Sequence, residues 1–180
     1  MRDRVQNIKA FHKGVTFLEL LVTIAIIGIL AAIAVPYYGD YIERQRWVGA
    51  AEAVYGQMQQ AKRLAISNNK TVYFIAATES GGDWCVTYSE DPSSACTNGF
   101  VTSSAANPAV SISGVNYPNM TLSAKSSSWP VKIGFVMPGL GISTAETMVI
   151  TSSLGDIEVE AAAGMNVRIC SDDYGRYKCN

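Results

Sequence analysis

The chain has 180 residues, 48% hydrophobic and 16% charged, with a formal net charge of -1. That length holds one modest core plus an apolar segment but not two ordinary domains, and the near-neutral total excludes a general basic field that would draw the protein onto nucleic acid. The total hides an asymmetry: Arg2, Arg4, Lys9 and Lys13 precede position 14 with only Asp3 against them, whereas from Thr71 onward five basic residues face ten acidic ones, a difference of -5.

Residues 20–38 read LLVTIAIIGILAAIAVPYY, without a charge, long enough to cross a bilayer as a helix. Lys and Arg cluster before this run, so its amino end is expected in the cytoplasm and everything after Tyr38 in the periplasm or outside the cell, with Tyr37, Tyr38 and Tyr41 at the interface. A plain anchor and a secretory signal peptide both compete, and Ala32-Ile33-Ala34 offers the latter an A-x-A cleavage pattern. Glu19 argues against both, because an acidic residue at the mouth of an apolar run costs free energy in lipid unless a partner neutralises it.

The stretch Lys13-Gly14-Val15-Thr16-Phe17-Leu18-Glu19-Leu20-Leu21-Val22, continued by Ile26-Ile27-Gly28-Ile29-Leu30-Ala31-Ala32-Ile33-Ala34-Val35-Pro36, resembles the prepilin signature of type IV pilins and type II secretion pseudopilins. The resemblance implies cleavage by a membrane prepilin peptidase after Gly14, methylation of the new amino terminus at Val15, and guidance of assembly by Glu19. Residues 1–14 are then a leader, 15–40 a transmembrane and filament-core helix, and 41–180 a periplasmic head. Val15 and Phe17-Leu18 depart from the family's usual phenylalanine and Leu-Ile. Cleavage would create an ammonium able to neutralise the Glu19 carboxylate of a neighbouring subunit in lipid. Gly28 and Ala32 form a small-xxx-small pair that lets helices approach closely. Pro36 removes a backbone donor and predicts a kink.

From Tyr41 to Ala65 apolar residues recur at Trp47/Val48, Ala51, Val54/Tyr55, Met58, Ala61 and Leu64/Ala65, a helical period. The membrane helix therefore continues as an amphipathic one, roughly 50 residues in all, stopping at Ser67-Asn68-Asn69. Short β-branched and aromatic runs follow at 71–75, 84–88, 109–113, 120–124, 131–137, 147–151, 157–161 and 165–170, divided by turn signals such as Pro138-Gly139-Leu140-Gly141 and Leu154-Gly155-Asp156. No helical stretch intervenes to serve as a parallel crossover, so the sheet should be antiparallel throughout. Residues 89–107 read as a variable loop. The expected class is α+β: a long N-terminal helix, transmembrane then amphipathic, packed on an antiparallel β-sheet or β-sandwich head.

Cys85 with Cys96 and Cys170 with Cys179 form two close pairs. Four cysteines allow three connectivities, and loops of about ten residues close at little entropic cost, which favours nearest-neighbour pairing. Neither pair has C-x-x-C spacing and the only histidine, His12, lies in the leader, so no metal or other cofactor is expected. Glu158 and Glu160 alternate with Ile157 and Val159 as a half-exposed strand would, and nothing in the chain composes a catalytic constellation.

A long helix followed at once by a head of short strands, with the junction Gln60-Ala61-Lys62-Arg63-Leu64-Ala65-Ile66-Ser67-Asn68-Asn69-Lys70-Thr71-Val72, resembles the FimT/GspH group of minor pilins and pseudopilins. That resemblance implies a subunit that primes or caps a filament of other pilins, starting in the inner membrane and ending on a pilus. In the FimT-like branch it also implies uptake of double-stranded DNA through a basic carboxy-terminal motif, matched here by Gly175-Arg176-Tyr177-Lys178 with Arg168 upstream. Two cations and an aromatic on a closed loop suit phosphate contact and base stacking; Asp172 and Asp173 oppose it. The alternative is a type II secretion pseudopilin that is a structural piece only.

Overall fold

The computed structural model describes residues 14–78, 83–97, 100–102 and 111–173, with the side chains at 34–37, 97 and 100–102 outside the description. It divides into two units, the first ending at Tyr41 and the second running from Ile42. One long helix, α1 (Phe17–Asn68, 52 residues), contributes to both.

In the first unit the helix starts because Thr16 caps it. The Thr16 hydroxyl oxygen accepts the Glu19 N–H at 3.2 Å and its carbonyl accepts the Leu20 N–H at 3.1 Å, satisfying donors that a helix start otherwise leaves open. Apart from Glu19 and Thr23 the helix surface from Phe17 to Ile33 is apolar, and it is exposed all round. Among the described residues no single straight helix meets the length and hydropathy of a membrane span, whereas the segments Phe17–Ile33 and Tyr38–Asn68 meet them together. The predicted kink at Pro36 falls where the side chains are outside the description.

In the second unit the same helix becomes one-sided, as its periodicity predicted. Trp47, Ala51, Val54, Met58, Ala61 and Ala65 are buried, while Gln45, Glu52, Gly56, Gln60 and Arg63 are exposed. Trp47 also donates its indole N–H to the Ile150 carbonyl at 3.1 Å. The helix ends at the predicted Asn pair for a backbone reason: Asn69 takes a left-handed φ of 50°, and the Lys70 N–H reaches back to the Ala65 carbonyl at 3.2 Å, the hydrogen bond of a Schellman ending.

The strands are β1 (Val72–Thr78), β2 (Trp84–Ser89), β3 (Ala95–Thr97), β4 (Phe100–Thr102), β5 (Ile112–Ser113), β6 (Thr121–Ala124), β7 (Val131–Val136), β8 (Gly141–Ile142), β9 (Glu146–Ser152), β10 (Gly155–Ala162) and β11 (Asn166–Cys170). They build a first sheet in the order β5-β2-β1-β7-β8, a second in the order β11-β10-β9-β6, and the small β3-β4 hairpin. Every described pairing is antiparallel, as expected. Alternation puts Phe74, Val86, Ile133 and Phe135 of the first sheet, and Met148, Ile150, Ile157, Val159 and Ala161 of the second, into one core with the helix. Each of these side chains except the small Ala161 contributes about 1.5–3 kcal/mol relative to leaving it in water.

The main departure from the sequence reading lies in 89–107, expected as a loop. It contains β3 and β4, a hairpin whose β3 packs against β1 and β2 of the first sheet. Ile75, Cys85, Thr87 and Ser89 of the sheet are buried together with Ser94 and Cys96 of this flap, a satellite core outside the main one. The Cys85–Cys96 disulfide, with Cα atoms 5.9 Å apart, pins the flap down. The run is rich in Ser, Asn and Ala, so it carries little strand propensity of its own; covalent tethering over a hydrophobic face supplies the order. The two-residue β8 also arises within a turn signal, where it pairs with the end of β7. Of the strand expected at 109–113, Ile112 and Ser113 form β5, and 109–110 lie outside the described residues.

Candidate assembly site

At the amino end the residues ahead of the helix are exposed and non-helical. Gly14, Val15 and Thr16 are exposed and precede the first helical turn. The Gly14–Val15 bond thus lies one residue before the cap, in backbone not locked into helical hydrogen bonds. Nothing lies within 4 Å of where a Cβ on Gly14 would stand. Val15 is 71% exposed and Phe17 76%, and Glu19 is the acidic residue of the first turn. Sequence reasoning missed Thr16. Thr16-x-x-Glu19 is the capping-box spacing, and that signal was available. The cap gives Glu19 a local benefit as well, because a carboxylate in the first turn is favoured by about 0.3–1 kcal/mol through the helix dipole.

At the other end, Arg168 lies on the outward face of β11, opposite Glu160 of β10, and its Nε donates to Glu160 Oε2 at 2.6 Å. Lys125 is likewise held by Glu158 at 3.0 Å. Cys170 is disulfide-bonded; its expected partner Cys179, and Gly175, Arg176, Tyr177 and Lys178, lie outside the described residues. The root of that terminal segment is fastened to the start of β10. Asp156 donates its backbone N–H to Asp173 Oδ2 at 3.0 Å, and the Ser171 hydroxyl donates to the Asp156 carbonyl at 2.6 Å. Gly155, at φ 127°, leaves room for this, since a Cβ there would stand 2.4 Å from the Asp173 carboxylate. Arg168 is therefore an ion-paired strand residue in acidic surroundings rather than a free cation.

One buried carboxylate was not singled out from the sequence. Glu146, 3% exposed, opens β9 on its inner face. Its Oε1 accepts the N–H groups of Ser126 and Thr147, both at 2.9 Å, while Oε2 is buried without a hydrogen bond among the described residues. Burial pushes its pKa up, but the Ser127 hydroxyl and the backbone amides of Thr147, Ser126 and Lys125 outweigh that and hold it below the ordinary carboxylate value. It organises the 125–130 connection, a placement that no local sequence signal announces.

A capped, apolar amino-terminal helix together with a two-sheet antiparallel head defines a type IV pilin-like subunit. Comparison with known proteins agrees. Residues 10–35 match the prokaryotic N-terminal methylation motif and residues 50–179 match the family described as Type II transport protein GspH. The chain belongs to that GspH family. It is also similar to type IV major fimbrial proteins FimA of Dichelobacter nodosus, 44% identical over 62 residues in one case (34% of this chain, 39% of that protein) and 53% over 61 residues in another (34% and 35%). It thus spans well under half the length of those relatives. Its fold resembles the type IV minor pilin FimU of Pseudomonas aeruginosa, with a TM-score of 0.56 and 18% identity, covering 74% of this chain and 95% of that one.

Proposed function

We propose that this chain is a minor subunit of a type IV pilus, made as an inner-membrane precursor, cut after Gly14, methylated at Val15, and assembled with other pilins through its apolar helix. The observation that carries this reading is the uncovered helix surface. From Phe17 to Ile33 the apolar side chains are exposed among the described residues, and so large a patch requires lipid or other helices around it. Both environments fit the life of one subunit, first in a bilayer and then in a filament core. Glu19 selects between them: in lipid it is a costly charge, and beside the ammonium that cleavage creates on a neighbour's Val15 it is neutralised. No step of this role needs the head to do chemistry.

Capture of double-stranded DNA is the weaker reading. Its sequence support is Arg176, Tyr177 and Lys178, while the described surface at their root holds Asp156, Asp172 and Asp173 and an Arg168 already paired with Glu160. Strongly salt-dependent duplex binding, lost in an Arg176→Ala/Lys178→Ala variant, would restore it.

The decisive variant is Gly14→Ala in cells carrying the prepilin peptidase. An uncut precursor kept in the membrane and missing from sheared filaments is the expected result; a normally shortened chain in filaments would overturn the proposal. Recovery of the wild type only with secretion pseudopilins would reassign it to a type II secretion filament.

A further inference from the structure

The two halves of the Cys85–Cys96 disulfide sit in unlike surroundings. Cys85 belongs to β2, which is paired on both sides: Cys85 stands opposite Ala77 of β1 and opposite Ser113 of β5. Its neighbours Trp84 and Val86 belong to the main core, so the Cys85 side chain projects from the other face of the sheet, where it is buried. Two ladders fix its place whether or not the bond exists. Cys96 belongs to β3, whose ladder partner is β4, and among the described residues this hairpin shares no ladder with the first sheet. An isolated hairpin with strands of three residues is marginal in water, so β3 owes its position to packing on β1 and β2 and to the bond itself.

The connection that carries β3 is held independently of the disulfide. Ser94 donates its hydroxyl to Ser89 Oγ at 2.8 Å, Asp91 donates its N–H to the same oxygen at 3.1 Å, and Lys132 donates to the Pro92 carbonyl. Cys96 is thus two residues beyond an anchored Ser94, a reach of about 7 Å of extended chain. Without the bond the hairpin is free to leave the sheet, yet Cys96 stays on a short tether beside Cys85.

We infer that Cys96 is the thiol through which this disulfide is made: it is the entry point for an external oxidant, a C-x-x-C dithiol oxidoreductase, and Cys85 is the resolving thiol. First the Cys96 thiolate attacks one sulfur of the oxidant's disulfide. That bond breaks, its other sulfur leaves as a thiolate, and a mixed disulfide forms. Then the Cys85 thiolate attacks Cys96 Sγ and the mixed bond breaks. The oxidant departs as a dithiol, having taken two electrons and two protons, and the chain keeps Cys85–Cys96. The order follows from access. A second protein must approach the attacking sulfur, which a thiol on a loose hairpin permits and a thiol set between two paired strands and packed against that hairpin does not. The tether then makes the second step intramolecular. This inference goes beyond the filament reading and does not depend on it, since it needs only a head exported to an oxidising compartment.

The test uses the full chain in detergent with its disulfides reduced. The probe is a purified bacterial C-x-x-C oxidoreductase whose second cysteine is serine and whose first carries an aromatic thiol as leaving group, so that an attacking thiol stays bound to it. Cys85→Ser chains should be trapped on the probe through Cys96, identified by peptide mass. Cys96→Ser chains should be trapped through Cys85 about tenfold less, because access there requires a local opening with its own free energy. A measurement without substitutions guards against misfolded variants: brief alkylation of the reduced wild-type chain should label Cys96 ahead of Cys85, and the two rates should become equal in unfolding concentrations of urea. Equal trapping through the two cysteines, faster reaction at Cys85, or an alkylation preference that survives urea would overturn the assignment.

Discussion

Replacing Glu146 by Gln keeps the shape of the side chain and an oxygen acceptor but removes the charge. In the wild type Oε1 takes two backbone N–H groups at 2.9 Å inside the protein. Hydrogen bonds to a charged acceptor exceed neutral ones by roughly 0.5–1 kcal/mol each, so Glu146→Gln should cost about 1–2 kcal/mol near pH 7. For a head of roughly 140 residues that is about 3–7 °C in Tm. The pH dependence is the stricter part. A carboxyl held below its ordinary value in the fold stabilises the native state above the unfolded-state value of 4.5 and loses that contribution as pH falls through its lower native value. Thermal unfolding followed by circular dichroism from pH 7.5 to pH 3 should therefore show the gap between wild type and Glu146→Gln closing in the acid range. A gap constant across that range, or a Gln variant more stable at neutral pH, would refute the reasoning.

Gly155→Ala should destabilise by about 1–3 kcal/mol, because φ 127° strains any side chain and the new Cβ would collide with Asp173; chemical denaturation checks it, and an unchanged midpoint would contradict it. Cys85→Ser with Cys96→Ser should cost about 3 kcal/mol, as expected for a closed loop of this length. It should also release the flap, seen as faster amide exchange at Ile75 and Thr87 while the Trp47 core keeps its protection.

The helix was legible almost to the residue because its signals are local. The stripe from Trp47 to Ala65 has one period and one buried face, and Asn69 supplies the left-handed turn that ends it. The strands facing the core were legible through alternation, as at Ile157, Val159 and Ala161. The β3-β4 flap was not, since its order comes from Cys85 and from the apolar face beneath it, both distant in sequence. Glu146 was hidden for the same reason: its partners Ser126 and Ser127 are about twenty residues away. The basic terminal motif was legible as residues but not as an environment, for only the fold pairs Arg168 with Glu160 and brings Asp173 back to Asp156.

The central claim is that a cut after Gly14 releases the amino group that Glu19 requires. Intact-mass and amino-terminal analysis of the chain from membranes and sheared filaments tests it most directly. The account predicts a single mature species beginning at N-methylated Val15 in both fractions, with Glu19→Ala also cut but depleted from filaments. A chain still beginning at Met1, or one beginning after Ala34 as a secretory signal would leave it, would contradict the account.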